Sequence, residues 1–220
     1  MKPVKDHLKY RKEKNNPLRH LYGILTVKRY FAGYALITLV ALGGAMLMPF
    51  SAPFLINNVG VTWLELPLIY LLTGIAGVFI MILIGKLSDL FPKKKVFMIG
   101  TIISIILTII YTNLTPIPLW QVIVINIILF IGTNGRLIPA MALNTAVPQP
   151  QDRGAYMSLC SALQQLANGI GALLAGSIII QHTKSSPLLY YNTVGYIVCA
   201  VTVVCVFLIY QVARDIGRKH

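Results

Sequence analysis

After Arg29 the chain runs through residues 30–64 without one formally charged side chain. Further charge-free runs occupy residues 66–85, 96–135, 137–151, 154–183 and 185–213. A water-soluble domain cannot cover its surface with such stretches, since about a quarter of an average soluble domain is charged. Here Asp, Glu, Lys and Arg make up 11% of the chain and hydrophobic residues 56%. A bilayer core of about 30 Å takes about 20 apolar residues as a helix. The runs and the turn signals between them predict six spans, at residues 30–57, 66–87, 95–111, 118–146, 156–180 and 189–210. The run 96–135 is too long for one helix, and Asn113-Leu-Thr-Pro-Ile-Pro118 divides it. Lipid offers no hydrogen bonds to a backbone, which favours helices over open strands. A β-barrel would show short alternating segments instead.

The basic residues are sorted by loop. One side receives nine in residues 1–29, then Lys86, Lys93, Lys94 and Lys95, then Arg153, then Arg214, Arg218 and Lys219. The other side receives only Lys184, and Arg136 stays inside a span. This asymmetry places both termini in the cytoplasm. Trp63, Tyr111, Trp120, Tyr190 and Tyr191 fall at one predicted interface, and Tyr22, Tyr30, Tyr156 and Tyr210 at the other. The net charge of +13 is therefore an orienting charge, and no nucleic-acid partner is expected. The partner implied is the lipid bilayer.

Residues 1–29 read as a basic cytoplasmic linker. Asn16 and Pro17 can start a short helix lying on the lipid surface; a disordered basic linker is the alternative. The first apolar stretch is a full span, so no signal peptide is expected. Residues 214–220 read as a cytoplasmic tail. Cys160, Cys199 and Cys205 lie within spans without a CxxC spacing, and His7, His20, His182 and His220 are scattered. No metal site and no cofactor is expected, and no set of catalytic groups shares a depth, so the chain is not read as an enzyme.

The spans carry small residues at helix-contact spacing. Ala167, Gly171 and Ala175 are four apart, Ala172 and Gly176 repeat the pattern, and Gly74 with Gly77 and Gly132 with Gly135 are similar. Pro49, Pro53 and Pro139 interrupt two spans and should bend them. Polar residues sit at membrane depth: Asn126, Asn134, Arg136, Asn144, Gln164, Gln165 and Asn168. Such a face points into a bundle or a cavity. Substrate contact and hydrogen bonding between helices are both open for it. Arg136 is the sharpest case, because no Asp or Glu lies in any predicted span. It must snorkel, bond to helix carbonyls, meet an anionic ligand, or pair with a carboxylate from another chain.

The second span ends in Gly85-Lys-Leu-Ser-Asp-Leu-Phe-Pro-Lys-Lys-Lys95. Gly85, Leu87, Ser88, Asp89, Phe91, Lys93 and Lys94 resemble the cytoplasmic loop signature of the major facilitator superfamily, with Pro92 where the family has glycine. The stretch from Gly135-Arg-Leu-Ile-Pro139 through Asp152-Arg-Gly154 to Gln164-Gln165 and Gly176 resembles the tenth and eleventh helices of its drug-antiporter-like members. Typical members pair two six-span halves around a central substrate site. The resemblance implies an all-α membrane fold of six helices, corresponding to the C-terminal half. It further implies a secondary transporter working by alternating access, drug or small-molecule efflux, and a bacterial-type inner membrane. The partner half would be a separate chain, missing sequence or a second copy. Gly85, Asp89, Lys93, Lys94 and Arg153 would form the cytoplasmic gate, with Arg153 the candidate partner of Asp89. Asn134, Arg136, Gln164, Gln165 and Asn168 are the candidate cavity residues, and any coupling carboxylate is expected in the other half.

Overall fold

A computed structural model describes residues 23–217 of the chain. The basic segment up to residue 22, with its proposed surface helix start, lies outside the described residues. Six long helices follow one another: α1 Lys28–Phe54, α2 Leu66–Leu90, α3 Lys93–Thr112, α4 Leu119–Asn144, α5 Arg153–Ile178 and α6 Tyr191–Gly217. One antiparallel bridge, Ile180 to Leu189, is the extended pairing among the described residues. Helix α6 continues through Arg214 to Gly217, into the stretch expected as a tail.

Local chemistry sets the helix ends. Pro49 and Pro53 lie inside α1, and the helix widens into a π-helical turn, Leu55–Val59, just beyond the second. A proline removes a backbone donor and crowds the preceding turn, which disturbs the regular ladder. Thr62 donates from its backbone N–H (2.9 Å) and its hydroxyl (2.8 Å) to the Glu65 carboxylate just before α2. Pro92 precedes α3 and Pro118 precedes α4, where a missing N–H costs no helical bond.

Five of the six helices are long and apolar enough to cross a membrane. Helix α5 has the length, but Ser158, Ser161, Gln164, Gln165, Asn168 and Ser177 dilute its hydropathy.

The most extensive helix contacts run in the order α5–α1–α6–α3–α4–α2, with a lighter contact between α1 and α4. Helices α5 and α2 are thus the two ends of the arc. Small residues bring backbones together, as lipid-embedded helices require when no hydrophobic force separates helix from tail. A Cβ added at Gly100 of α3 would lie 2.4 Å from the Gly135 carbonyl carbon of α4. Ala167, Gly171 and Ala175 of α5 are buried, and a Cβ at Gly171 would lie 2.8 Å from the Leu42 carbonyl oxygen of α1.

Aromatic clusters close both ends of the bundle. At the basic end Tyr34 stacks on Tyr156 with centroids 4.7 Å apart, and Tyr30 meets the same ring edge-on at 5.2 Å. At the opposite end Phe54 stacks on Tyr191 at 4.4 Å, with Tyr111 beside both. There Asn58 clasps the 188 peptide, accepting from Leu188 N at 2.8 Å and donating to Leu188 O at 3.0 Å.

Candidate functional site

Helices α1, α2, α3, α4 and α6 line a partly open cavity of about 420 Å³. Its walls are mainly apolar, with Leu47 and Met48 from α1, Leu129, Phe130 and Leu137 from α4, and Val198 from α6. Thr73, Ser104, Thr108 and Thr133 add hydroxyls, and Asn126, Asn134 and Arg136 complete the polar set. A mostly apolar pocket with few convergent polar groups is the usual form of a small-molecule site.

Helix α4 carries the strongest of these groups. Pro139 leaves the Gly135 carbonyl without its helical donor, one residue before Arg136. Arg136 lies about two turns from the end of α4 and is only 3% exposed. Its Nη1 donates to Thr202 Oγ1 on α6, while Nε has no acceptor. Gly43 on α1 faces it: a Cβ there would lie 3.8 Å from Nη2, so glycine leaves space beside the guanidinium. The acids among the described residues are Glu65, Asp89, Asp152 and Asp215, all at or near helix ends. None accompanies Arg136 at depth. Asn134 and Asn126 each donate 2.9 Å bonds to their own helix, at Phe130 O and Val122 O. That arrangement uses one amide hydrogen of each internally and leaves the other hydrogen and the side-chain oxygen to other partners.

The other candidate cavity residues lie elsewhere. Gln165 and Asn168 are exposed on α5 and Gln164 is half-buried. Asn168 Nδ2 donates to Gln165 Oε1 at 3.5 Å. None of the three lines the cavity. The reason is the small-residue face of α5: Ala167, Gly171 and Ala175 commit that side to α1, which turns the glutamines and Asn168 away from the bundle. The five residues expected as one site are therefore two groups, Asn134 with Arg136 inside and the α5 trio outside.

The loop residues are placed as follows. Gly85 and Asp89 sit at the end of α2, and Asp89 is exposed. Lys93 Nζ donates to Ser88 O at 3.4 Å, and Lys94 Nζ stands 5.6 Å from the Tyr210 ring centroid of α6. The expected ion pair between Asp89 and Arg153 is not formed within 4.0 Å. Helices α2 and α5 stand at opposite ends of the arc, so the two charges do not meet within this chain.

Sequence reasoning missed a polar cluster at the basic end. Tyr30 Oη donates to Asp152 Oδ2 at 2.9 Å and accepts from Gln149 N at 3.1 Å. Tyr156 Oη donates to Asn144 Oδ1 at 2.6 Å, and Asn144 Nδ2 donates to Cys160 Sγ at 3.3 Å. Tyr30 and Tyr156 read as interface aromatics, and Asn144 as one polar residue among several. Nothing in the spacing pairs residues 30 and 152. Among the described residues no group of three His, Cys, Asp or Glu side chains could hold a metal ion.

A family profile for the Major Facilitator Superfamily matches residues 4–219. The chain belongs to this superfamily. No curated protein matches it. Membership makes it a multi-pass membrane protein of the major facilitator transporter type, in keeping with its helical fold. For a major facilitator transporter the two polar groups take on distinct meanings. One lines a cavity between helices, and the other lies on an exposed flank of α5.

Proposed function

We propose that this chain is the C-terminal six-helix half of a secondary active transporter. It would move a small organic molecule outward across an inner membrane by alternating access against a second six-helix half. In this reading all six helices span the bilayer, the basic end is cytoplasmic, and α5 and α2 border the partner half. That half is a separate chain, further sequence of the same protein, or a second copy.

The carrying observation is the open polar flank of α5. Exposed polar side chains at bilayer depth belong against protein or a water-filled cavity, not lipid. Among the described residues Gln165 and Asn168 are exposed, have one long mutual bond and line no cavity. A partner half across a central cavity supplies both. The unpaired Asp89 fits the same picture, since its counter-charge would come from across the interface. With no carboxylate at depth among the described helices, a coupling carboxylate would belong to the second half.

The test is flux in proteoliposomes holding the chain with a candidate second half, loaded with a fluorescent amphipathic dye. Dye movement is expected with the pair and not with the second half alone; movement with this chain alone would mean that a second copy completes it. It should fall at least about tenfold with Asp89→Asn and with Arg136→Ala, as when an interaction worth about 1.4 kcal/mol is lost. Full flux in both variants would remove those residues from the mechanism. Absence of flux with every second half, despite a folded protein, would end the transporter reading.

A further inference from the structure

We infer that the cavity at Arg136 takes an organic monoanion, a single carboxylate carried on an apolar body. This rests on reading that cavity as the substrate site and names the substrate class.

Arg136 is 3% exposed and always protonated at physiological pH. Its guanidinium has five N–H donors. One bond, from Nη1, goes to the Thr202 hydroxyl, a neutral acceptor, and Nε has none. A buried charge at membrane depth is costly even on the lenient insertion scale. So costly a group is intelligible when its counter-charge arrives from outside the fold. The described helices carry no carboxylate at that depth.

The surroundings fit a ligand rather than a protein partner. A Cβ at Gly43 would stand 3.8 Å from Nη2 and 3.6 Å from the Val198 side chain, so glycine leaves a methyl-sized gap beside the guanidinium. The Thr73 hydroxyl, buried in the same cavity wall, is a second polar atom without a partner. Guanidinium is a planar fork matched to carboxylate, which it binds in bidentate fashion. The remaining wall is apolar: Leu47, Met48, Leu129, Phe130 and Val198. That wall suits a hydrocarbon or aromatic body. One cation matches one negative charge, and a second negative charge would be buried unpaired. A cationic ligand would face an uncompensated guanidinium at close range in a medium of low dielectric.

The probes are three molecules of one shape and different charge: 1-naphthoate, 1-naphthamide and 1-naphthylmethylammonium. Binding is measured by equilibrium dialysis on the full chain in nanodiscs of zwitterionic lipid. Naphthoate should bind at least about tenfold more tightly than the amide, and the ammonium most weakly. Arg136→Gln should abolish the preference. Arg136→Lys, which keeps the charge and loses the fork, should retain a reduced preference, so the pair stays informative if the glutamine variant folds poorly. Circular dichroism checks each fold. Equal binding of all three probes, preference for the ammonium, a preference that survives Arg136→Gln, or binding of none overturns the proposal. Anion binding without flux beside any second half would end the transporter reading alone. Dye flux without anion binding would end this one alone.

Discussion

Tyr156 of α5 donates a 2.6 Å hydrogen bond to Asn144 Oδ1 of α4, and Gly33 of α1 lies directly against both groups. A Cβ at Gly33 would stand 2.1 Å from Tyr156 Oη and 2.6 Å from Asn144 Oδ1. Three helices thus meet at one polar contact in the basic half of the bundle. Helix α5 otherwise touches α1 almost exclusively. The Tyr156–Asn144 bond is therefore a principal tie between α5 and the α4 that carries Arg136.

Tyr156→Phe should lower stability by about 1–2 kcal/mol. The phenyl ring keeps its stacking on Tyr34, but Asn144, buried to 2% exposure, loses a donor. Unfolding by titrated dodecyl sulfate, followed by circular dichroism, reads the change. Gly33→Ala should cost more, because a methyl group there collides with the pair. A Tyr156→Phe variant as stable as the parent would show the bond to be energetically idle.

Gly100→Ala should destabilise by about 1–3 kcal/mol, the usual penalty for overpacking. The added carbon would meet the Gly135 backbone, which has no flexible end to move aside. Gly85→Ala is the matched control, since nothing lies within 4 Å of the added carbon and alanine favours helix. Thermal unfolding in one detergent compares the two. Equal midpoints would mean that α3 and α4 can part without cost.

Much of the fold was readable because lipid makes simple demands. Charge-free runs and prolines predicted stretches whose ends lie within about three residues of the first five helices, while α6 continues past Tyr210 to Gly217; the Ala167, Gly171, Ala175 spacing marked the face of α5 that meets α1. Arg136 stood out because a lone charge in an apolar run has no ordinary explanation. The grouping of polar residues was not readable. Depth along a helix follows from residue number, but azimuth depends on which face packs. Gln164 and Asn134 share a depth class and yet lie on different sides of the bundle. The Tyr30–Asp152 bond escaped for a related reason: it joins the starts of two helices that only the tertiary fold brings together.

The Glu65 carboxylate should titrate below the ordinary glutamate range, because the Thr62 backbone N–H and then its hydroxyl donate to the charged form. The sign follows from linkage. A depressed folded-state pKa contributes stability that is fully present above the unfolded value and is lost as pH falls through the folded one. Carbon-13 NMR of the labelled side chain should place its midpoint below about 4.3, the value for free glutamate. Glu65→Gln should leave stability near neutral pH slightly reduced and remove this contribution to the acid dependence. A midpoint at or above the free value would mean that the Thr62 bonds do not persist in solution.

Gln165→Leu and Asn168→Leu should separate the role of the α5 flank from its packing. Both side chains are exposed, and their one mutual contact is a long 3.5 Å bond. Surface substitutions away from such features usually stay within about 0.5 kcal/mol. The isolated chain should therefore unfold as the parent does, or slightly later in lipid, since leucine suits a hydrocarbon environment. If the flank faces a partner half across a polar cavity, the double variant should instead lose most of the dye flux of the reconstituted pair. Lower stability of the isolated chain with flux intact would place these residues in the packing of the half itself. Unchanged stability together with lost flux would locate the second half against α5, because only a partner absent from this chain could register the loss.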